Sequence, residues 1–473
     1  MSTRKNTAYN VAYRVFSILL PLVTAPYLSR TVGQAGVGLY SFAWNASYFA
    51  CLTAMLGLEN YGTRAVAAAR DDPEALNRTF SSIWRMQRAV ALVVLCLWLL
   101  FAFAVPGESA PIVLSLTLMS VSCLFNLDWA LMGLDQFKPI ALRNTFVKLL
   151  AAACVFAFIH TAQDLWVYGF AWSAATFVGC LLSAASLRGK VRLVRVSRAE
   201  ALVHLKPCAI LYISVLATSV YRVMDKVMVS AIAGYSQNGL YENAEKIVYC
   251  LSGFISAVGT VMLPKISVLQ KKGETARIRR HLDATMQGIL AMTSCMAFGV
   301  AAVADRFCPL FFGEDFTASA PLMIPLAFTL MMIGFANVIR TQWILPQERD
   351  KIVVRSVCAG AVVNLAANAL LIPRMQAMGA VVGTLLAEFT VPLVQWLQLK
   401  RELDYGRYLL HTVACSAIGL FMFCIVRLLS PFLPDNWTGL ALLATAGALA
   451  AGVTYLVFWR LTASPMLRLL RRR

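Results

Sequence analysis

Residues 33–40 read GQAGVGLY and residues 234–241 read GYSQNGLY. Shifting the chain by 201 positions places Gly33, Gly38, Leu39 and Tyr40 on Gly234, Gly239, Leu240 and Tyr241, and carries Tyr48 onto Tyr249. Each copy lies between two apolar stretches of roughly 20 residues, the length that crosses a hydrocarbon core. Such stretches recur along all 473 residues, of which 59% are apolar and 14% charged; a water-soluble fold of this size carries about 25% charge. The chain therefore reads as an all-α polytopic membrane protein. A membrane β-barrel, which shows alternating segments of about 10 residues, is excluded.

Working outward from the repeat, we count 14 spans. They centre near Leu19, Tyr48, Val94, Ser122, Ala151 and Ala175, then Leu216, Ser252, Ala291, Met331, Val362 and Leu386, and finally Ile418 and Leu449. The repeat relates spans one and two to spans seven and eight, and a shift of six spans preserves direction. Two parallel six-helix lobes about an axis along the membrane normal are expected, facing a central cavity. The expected division is 1–200 for the N-terminal lobe, 201–405 for the C-terminal lobe, and 406–473 for a helix pair with a basic tail.

The net charge is +19, from 42 Lys and Arg against 23 Asp and Glu. Nucleic-acid binding does not follow, because the cations fall in the short gaps between apolar runs. With gaps assigned to alternate sides, 33 of the 42 share the side of the N-terminus, and only Arg30, Arg306 and Arg374 lie in opposite gaps. Cytoplasmic loops accumulate Lys and Arg, so both termini are expected in the cytoplasm. The first apolar run is read as a retained helix, since Arg14, Pro21 and Pro26 interrupt it and no cleavage site follows. The 12 cysteines lie singly with no Cys-x-x-Cys, as packing residues do, and the four histidines lack metal-ligand spacing. No phosphate-binding loop and no catalytic constellation emerges, so an enzyme is not expected.

Charged groups within hydrocarbon cost at least ~2.5–3.5 kcal/mol each and mark a water-filled cavity or partners inside the bundle. Their helical phase is informative. On span seven Ser214, Thr218, Tyr221, Arg222 and Asp225 share one face, with Lys226 beside it; on span eight Glu242, Glu245, Tyr249 and Ser252 do the same, flanked by Lys246. Span one carries Asn10, Arg14 and Ser17, and span two carries Ser41, Asn45 and Tyr48. We take Arg14, Asn45, Arg222, Asp225, Lys226, Glu245 and Lys246 as candidate substrate-binding residues of a hydrated cavity. Its cations suit an anion such as phosphate; the alternative is that these charges pair with one another and fix helix register. Glu388, near the middle of span twelve, is a candidate for ion coupling, with structural pairing the plainer role. Asn364 and Asn368, one turn apart on span eleven, are read as interhelical hydrogen-bonding residues.

Several segments together carry a family resemblance. They are Pro26-Tyr27-Leu28-Ser29-Arg30 with Gly38-Leu39-Tyr40, Asp128-Trp129 through Gly133-Leu134-Asp135 with Arg143-Asn144, and Asp225-Lys226. Further along stand Gly313-Glu314-Asp315-Phe316, Asn337-Val338-Ile339 with Gln342 and Pro346, and Asn364-x3-Asn368 leading to Glu388. In order and spacing the chain resembles, nearly end to end, the bacterial polysaccharide-transporter flippases of O-antigen type, within the superfamily that also holds multidrug exporters. Arg340 departs from the pattern, where a small residue is expected. The resemblance implies alternating access and a substrate of undecaprenyl-pyrophosphate carrying one oligosaccharide repeat, moved from the inner to the outer leaflet of the bacterial cell membrane. It implies no cofactor, a driving force from membrane potential or an H+ or Na+ gradient, and polysaccharide polymerase and glycosyltransferases as neighbouring partners. Alternatives of the same fold are a multidrug or metabolite antiporter and a flippase for peptidoglycan precursor.

Overall fold

The computed structural model describes residues 3–105 and 107–461, and every regular element among them is helical. In chain order these are α1 (Thr3–Met55), α2 (Leu58–Ala69), α3 (Pro73–Ala104), α4 (Ala110–Ser115), α5 (Thr117–Ser122) and α6 (Asp128–Gly133). Then come α7 (Phe137–Phe158), α8 (Leu165–Ala185), α9 (Arg198–Leu202), α10 (Leu205–Ala233), α11 (Tyr235–Lys271) and α12 (Thr275–Phe312). The last five are α13 (Ala320–Ile339), α14 (Asp350–Met375), α15 (Ala377–Leu399), α16 (Tyr405–Leu429) and α17 (Trp437–Leu461). Among the described residues, ten helical stretches are long and apolar enough to cross a bilayer. The other four expected spans fall on α1 before and after Gly33, on the pair α4–α5, which breaks at Leu116, and on α10. Large apolar side chains turn outward, Phe103 to 75% exposure and Leu100 to 69%, as a surface solvated by lipid requires.

The repeat is written into the backbone. Gly33 interrupts α1 at φ 66°, ψ −175°, and Gly234 separates α10 from α11 at φ 92°, ψ 168°. Both lie where a residue with a Cβ is strained, and no atom stands within 4 Å of where that Cβ would sit. Conformation, not space, requires glycine. The correspondence continues at the next turns: Gly107 (φ 65°) and Gly313 (φ 107°) each lead into a 3-10 turn followed by a helix beginning Ala-Pro, at Ala110 and Ala320. Further on, Asp135 (φ 57°) and Glu348 (φ 58°) both adopt the left-handed conformation a few residues after Trp129 and Trp343.

The chain forms two compact units, Met1–Ser230 and Ala231–Arg473. Most of α10 thus groups with the first unit, whereas the repeat assigns it to the second lobe. In the first unit, Leu56 (φ 44°) and Gly57 (φ 74°) turn α1 into α2, and a Cβ on Gly57 would lie 2.9 Å from the Tyr212 backbone nitrogen of α10. The core gathers Leu58, Val66, Phe80, Ile83 and Trp129. Gln87, fully buried among them, accepts from the Trp129 indole (2.8 Å) and donates to the carbonyls of Cys123 (2.7 Å) and Asn126 (2.9 Å), so its amide is satisfied inside an apolar core.

In the second unit Met286, Leu290, Ile339, Trp343, Leu399 and Tyr408 form a common core. The C-terminal pair packs on α12. The Ser294 hydroxyl donates to Cys415 O (2.7 Å), as does Tyr455 (3.2 Å), and a Cβ on Gly419 would meet Phe298 and Ser294 at 2.4 Å. Arg306 pairs with Asp435 (2.9 Å), and Arg427 pairs with Asp305. Two cations in or beside the spans are thereby neutralised, one of them in an opposite gap. At Arg340 the helix widens into a π turn, Arg340–Ile344, so the departure from the family pattern coincides with a real irregularity at the end of span ten.

Candidate functional site

Each unit contributes polar faces, and they are described separately. In the first unit, the half of α1 after Gly33 presents two neighbouring faces. One is aromatic: Tyr40 lies on Tyr168 at 4.6 Å between ring centroids, and Trp44 meets Trp172 edge-on at 5.0 Å. The other holds Ser41 and Asn45, both buried, with the Asn45 amide donating to Ser41 Oγ (3.3 Å). The first face fixes the rotation of the helix against α8, and that rotation sets where Asn45 points. Tyr48 is 3.2 Å from Ser219 Oγ and Thr53 is 2.8 Å from the Tyr212 hydroxyl, which ties α1 to α10.

On α10 Arg222 is exposed, Lys226 half-buried and Asp225 only 4% exposed. A carboxylate this deep is stable only when opposed by a cation or hydrogen-bond donors, and all three residues engage in interactions. The side chains of Ser214, Thr218 and Tyr221 lie outside the described residues, as does that of Arg14.

On α11 Lys246 stands 3.5 Å from Glu242, one turn earlier, with both side chains mostly covered at 23% and 17% exposure. Glutamate preceding lysine by four residues is the favourable order on a helix. Glu245 is half-buried beside them. Beyond this pair the two sides of α11 diverge. Ala244, Val248 and Ile255 are buried, while Tyr249, Ser256 and Thr260 are exposed together with Phe254 and Val261. The hydroxyls of Ser252 and Thr260 bond back to the carbonyls of Tyr249 (2.7 Å) and Ser256 (2.9 Å), which satisfies their donors within the helix.

Glu388 is half-buried on α15, and its charge acts on the Arg340 guanidinium at the π turn. That relation was not legible in sequence, because 48 residues separate the two. Asn368 donates to Asn364 (3.3 Å), both buried, and a Cβ on Gly383 would sit 2.1 Å from Asn368 Oδ1. The asparagine pair thus packs against α15 at Gly383, but the bond between the two lies within α14, where the sequence led us to expect a bond between helices. A second charged group escaped the sequence reading: Arg143 grips Asp128 with two parallel bonds of 2.7 and 2.6 Å, both side chains mostly buried. Both residues stand in the family motif, but only the fold reveals the fork geometry that makes such a pair strong.

Comparison with known proteins extends these observations. Residues 3–270 match a family described as polysaccharide biosynthesis protein. A protein of Shigella dysenteriae named "Putative O-antigen transporter" is 23% identical over 384 residues, covering 79% of this chain and 94% of its own length. Among solved structures, one titled lipid II flippase MurJ, inward closed conformation, superposes with TM-score 0.80 at 16% identity, covering 96% of this chain and 99% of its own. An inward-facing multidrug resistance MATE family transporter superposes with TM-score 0.64 at 12% identity, covering 83% of this chain and 97% of its own. At those identities the superpositions establish the fold alone, a multi-pass helical membrane protein.

Proposed function

Because the chain belongs to the polysaccharide biosynthesis protein family, we propose that it is a flippase. It moves an undecaprenyl-pyrophosphate-linked oligosaccharide repeat from the cytoplasmic to the outer leaflet for surface-polysaccharide assembly. The observation that carries this reading is the family match over residues 3–270 in a chain built of bilayer-length helices. A protein of that make-up serves polysaccharide synthesis most directly by carrying a lipid-borne intermediate across the bilayer. The names of the relatives, an O-antigen transporter and a glycan biosynthesis flippase among them, support the same reading.

In this account the cations of α1 and α10, Arg14, Arg222 and Lys226, meet the pyrophosphate, while Asn45, Asp225, Glu245 and Lys246 line or organise the pathway. A pair of unit charges at ~4 Å is worth about 4 kcal/mol at an effective dielectric near 20, so two or three such contacts offset much of the dehydration of the anion. An inside-negative potential drives negative charge outward by ~2.3 kcal/mol per unit per 100 mV, so membrane potential alone is a sufficient source of energy. An H+ or Na+ gradient acting through Glu388 is the alternative. The expected setting is the bacterial inner membrane with both termini in the cytoplasm, beside the polymerase and glycosyltransferases of the same assembly line.

Everted membrane vesicles test the sign of the substrate. Arg222→Ala is expected to lower uptake of lipid-linked oligosaccharide at least tenfold with the protein still inserted, and the wild-type chain is expected not to move a cationic dye. Dye transport without oligosaccharide transport would assign the chain to drug efflux.

A further inference from the structure

Between α8 and α10 the chain runs along the outside of the first unit as a strap, residues 186–206. Its course is fixed by α3. The Arg192 backbone N–H donates to Asn77 Oδ1 (2.6 Å), the Val194 N–H to Ser81 Oγ (3.0 Å), and Arg85 donates to the Val196 carbonyl. The three α3 residues recur one helical turn apart, about 6 Å, and the three strap residues recur every second position of an extended chain, about 6.6 Å. The two periods match, so an extended segment lies flat on a helix. Arg78 then bonds Glu200 (2.8 Å), and the Ser197 hydroxyl caps α9 by accepting from the Glu200 N–H (3.1 Å). Leu187, Val196 and Ala201 are buried beneath.

The other side of the strap is left without protein cover. Arg188, Arg192, Arg195 and Arg198 are exposed, and none forms an ion pair among the described residues; the strap's one acid, Glu200, is already held by Arg78. Interleaved with these cations, Leu193, Leu202 and Val203 are 64%, 60% and 69% exposed. Both ends of the strap enter bilayer-length helices within a residue or so, at Ala185 and Leu205, which keeps the strap at the membrane boundary. A soluble acidic partner would satisfy the cations and leave the three apolar side chains in water. An interface of phosphate over acyl chain satisfies both.

We propose that this strap is a docking surface for anionic phospholipid of the adjacent leaflet, with Arg188, Arg192, Arg195 and Arg198 taking headgroup phosphates and Leu193, Leu202 and Val203 entering the interface. The strap leads directly into α10, so lipid bound there anchors the helix that carries Arg222, Asp225 and Lys226.

The test uses the full chain in nanodiscs of phosphatidylcholine into which phosphatidylglycerol is titrated, reading amide exchange over residues 188–206 and the number of phosphatidylglycerol molecules retained in native mass spectrometry. Phosphatidylglycerol is expected to slow exchange in the wild type and in R192K/R195K/R198K. In R192Q/R195Q/R198Q it is expected to have no such effect, with binding weakened about fivefold per lost cation. Equal protection of α3 in all three proteins shows that the fold is intact. Wild-type exchange indifferent to phosphatidylglycerol overturns the proposal, as does full protection in the glutamine variant. Protection by soluble polyglutamate but not by the lipid overturns it in favour of an acidic protein partner.

Discussion

Asp225 and Lys226 are neighbours in sequence and differ in burial, the carboxylate nearly enclosed and the ammonium half-open. Adjacent helical residues diverge by about 100°, so the two serve different surroundings. Replacing Asp225 with Asn strands the groups that oppose it and is expected to cost ~3–5 kcal/mol, lowering both the yield of folded protein and transport. Lys226→Gln is expected to keep the wild-type melting temperature and lose substrate affinity. Melting curves of the purified variants, recorded beside transport, decide it: a Lys226→Gln protein as unstable as the Asp225 variant makes the lysine structural. His204 offers a second test. Its ring lies 2.7 Å from the Tyr61 hydroxyl and 2.8 Å from Ser82 Oγ, and burial lowers its pKa below the usual value near 6.5. The unfolded chain then takes up the proton first, so this contribution to stability is complete above about pH 6.5 and is lost as pH falls from there through the lowered folded value. Wild-type protein is expected to melt progressively lower below pH 6.5, and His204→Gln to lose part of that slope. Identical slopes contradict the assignment.

Among elements, the two glycine hinges are the clearest link between sequence and fold. Gly33→Ala and Gly234→Ala each force a Cβ into an extended positive-φ backbone at roughly 1–3 kcal/mol, with no steric clash to add. Each is expected to lower thermal stability measurably and by similar amounts; a neutral Gly234→Ala would break the equivalence. These hinges were legible because glycine is the residue such a backbone selects. The turns at Asp135 and Glu348 were not, since aspartate and glutamate at positive φ leave no compositional mark. Nor was the break of the fourth span at Leu116, which lies inside an uncharged run with no Gly or Pro at the break. The Arg143–Asp128 fork and the field of Glu388 on Arg340 depend on which helices become neighbours, and that information is tertiary. Of the candidate site, the helical period groups the polar residues of α10 and α11 in sequence, whereas what those faces meet depends on tertiary packing. Lys246 pairs with Glu242, a stripe residue outside the set of candidate charges expected to pair with one another.

At the scale of the molecule, the charge distribution gives the expected orientation and the repeat the expected division into lobes. Reporter domains fused after Arg198 or Arg280 are expected to read cytoplasmic, and fusions near Ser109 or Asp315 extracytoplasmic; a cytoplasmic signal at Asp315 contradicts the count of spans. The central claim is transport of a lipid-linked sugar. Its most direct measurement is the rate at which purified protein in sealed liposomes moves a fluorescent undecaprenyl-pyrophosphate oligosaccharide from one leaflet to the other, followed by the loss of protection from an external quencher. The account predicts translocation well above that of protein-free liposomes, faster under an inside-negative potential for molecules oriented as in the cell, and strongly reduced by Arg222→Ala. A rate equal to that of protein-free liposomes, with the protein folded and the potential or ion gradient applied, would contradict it.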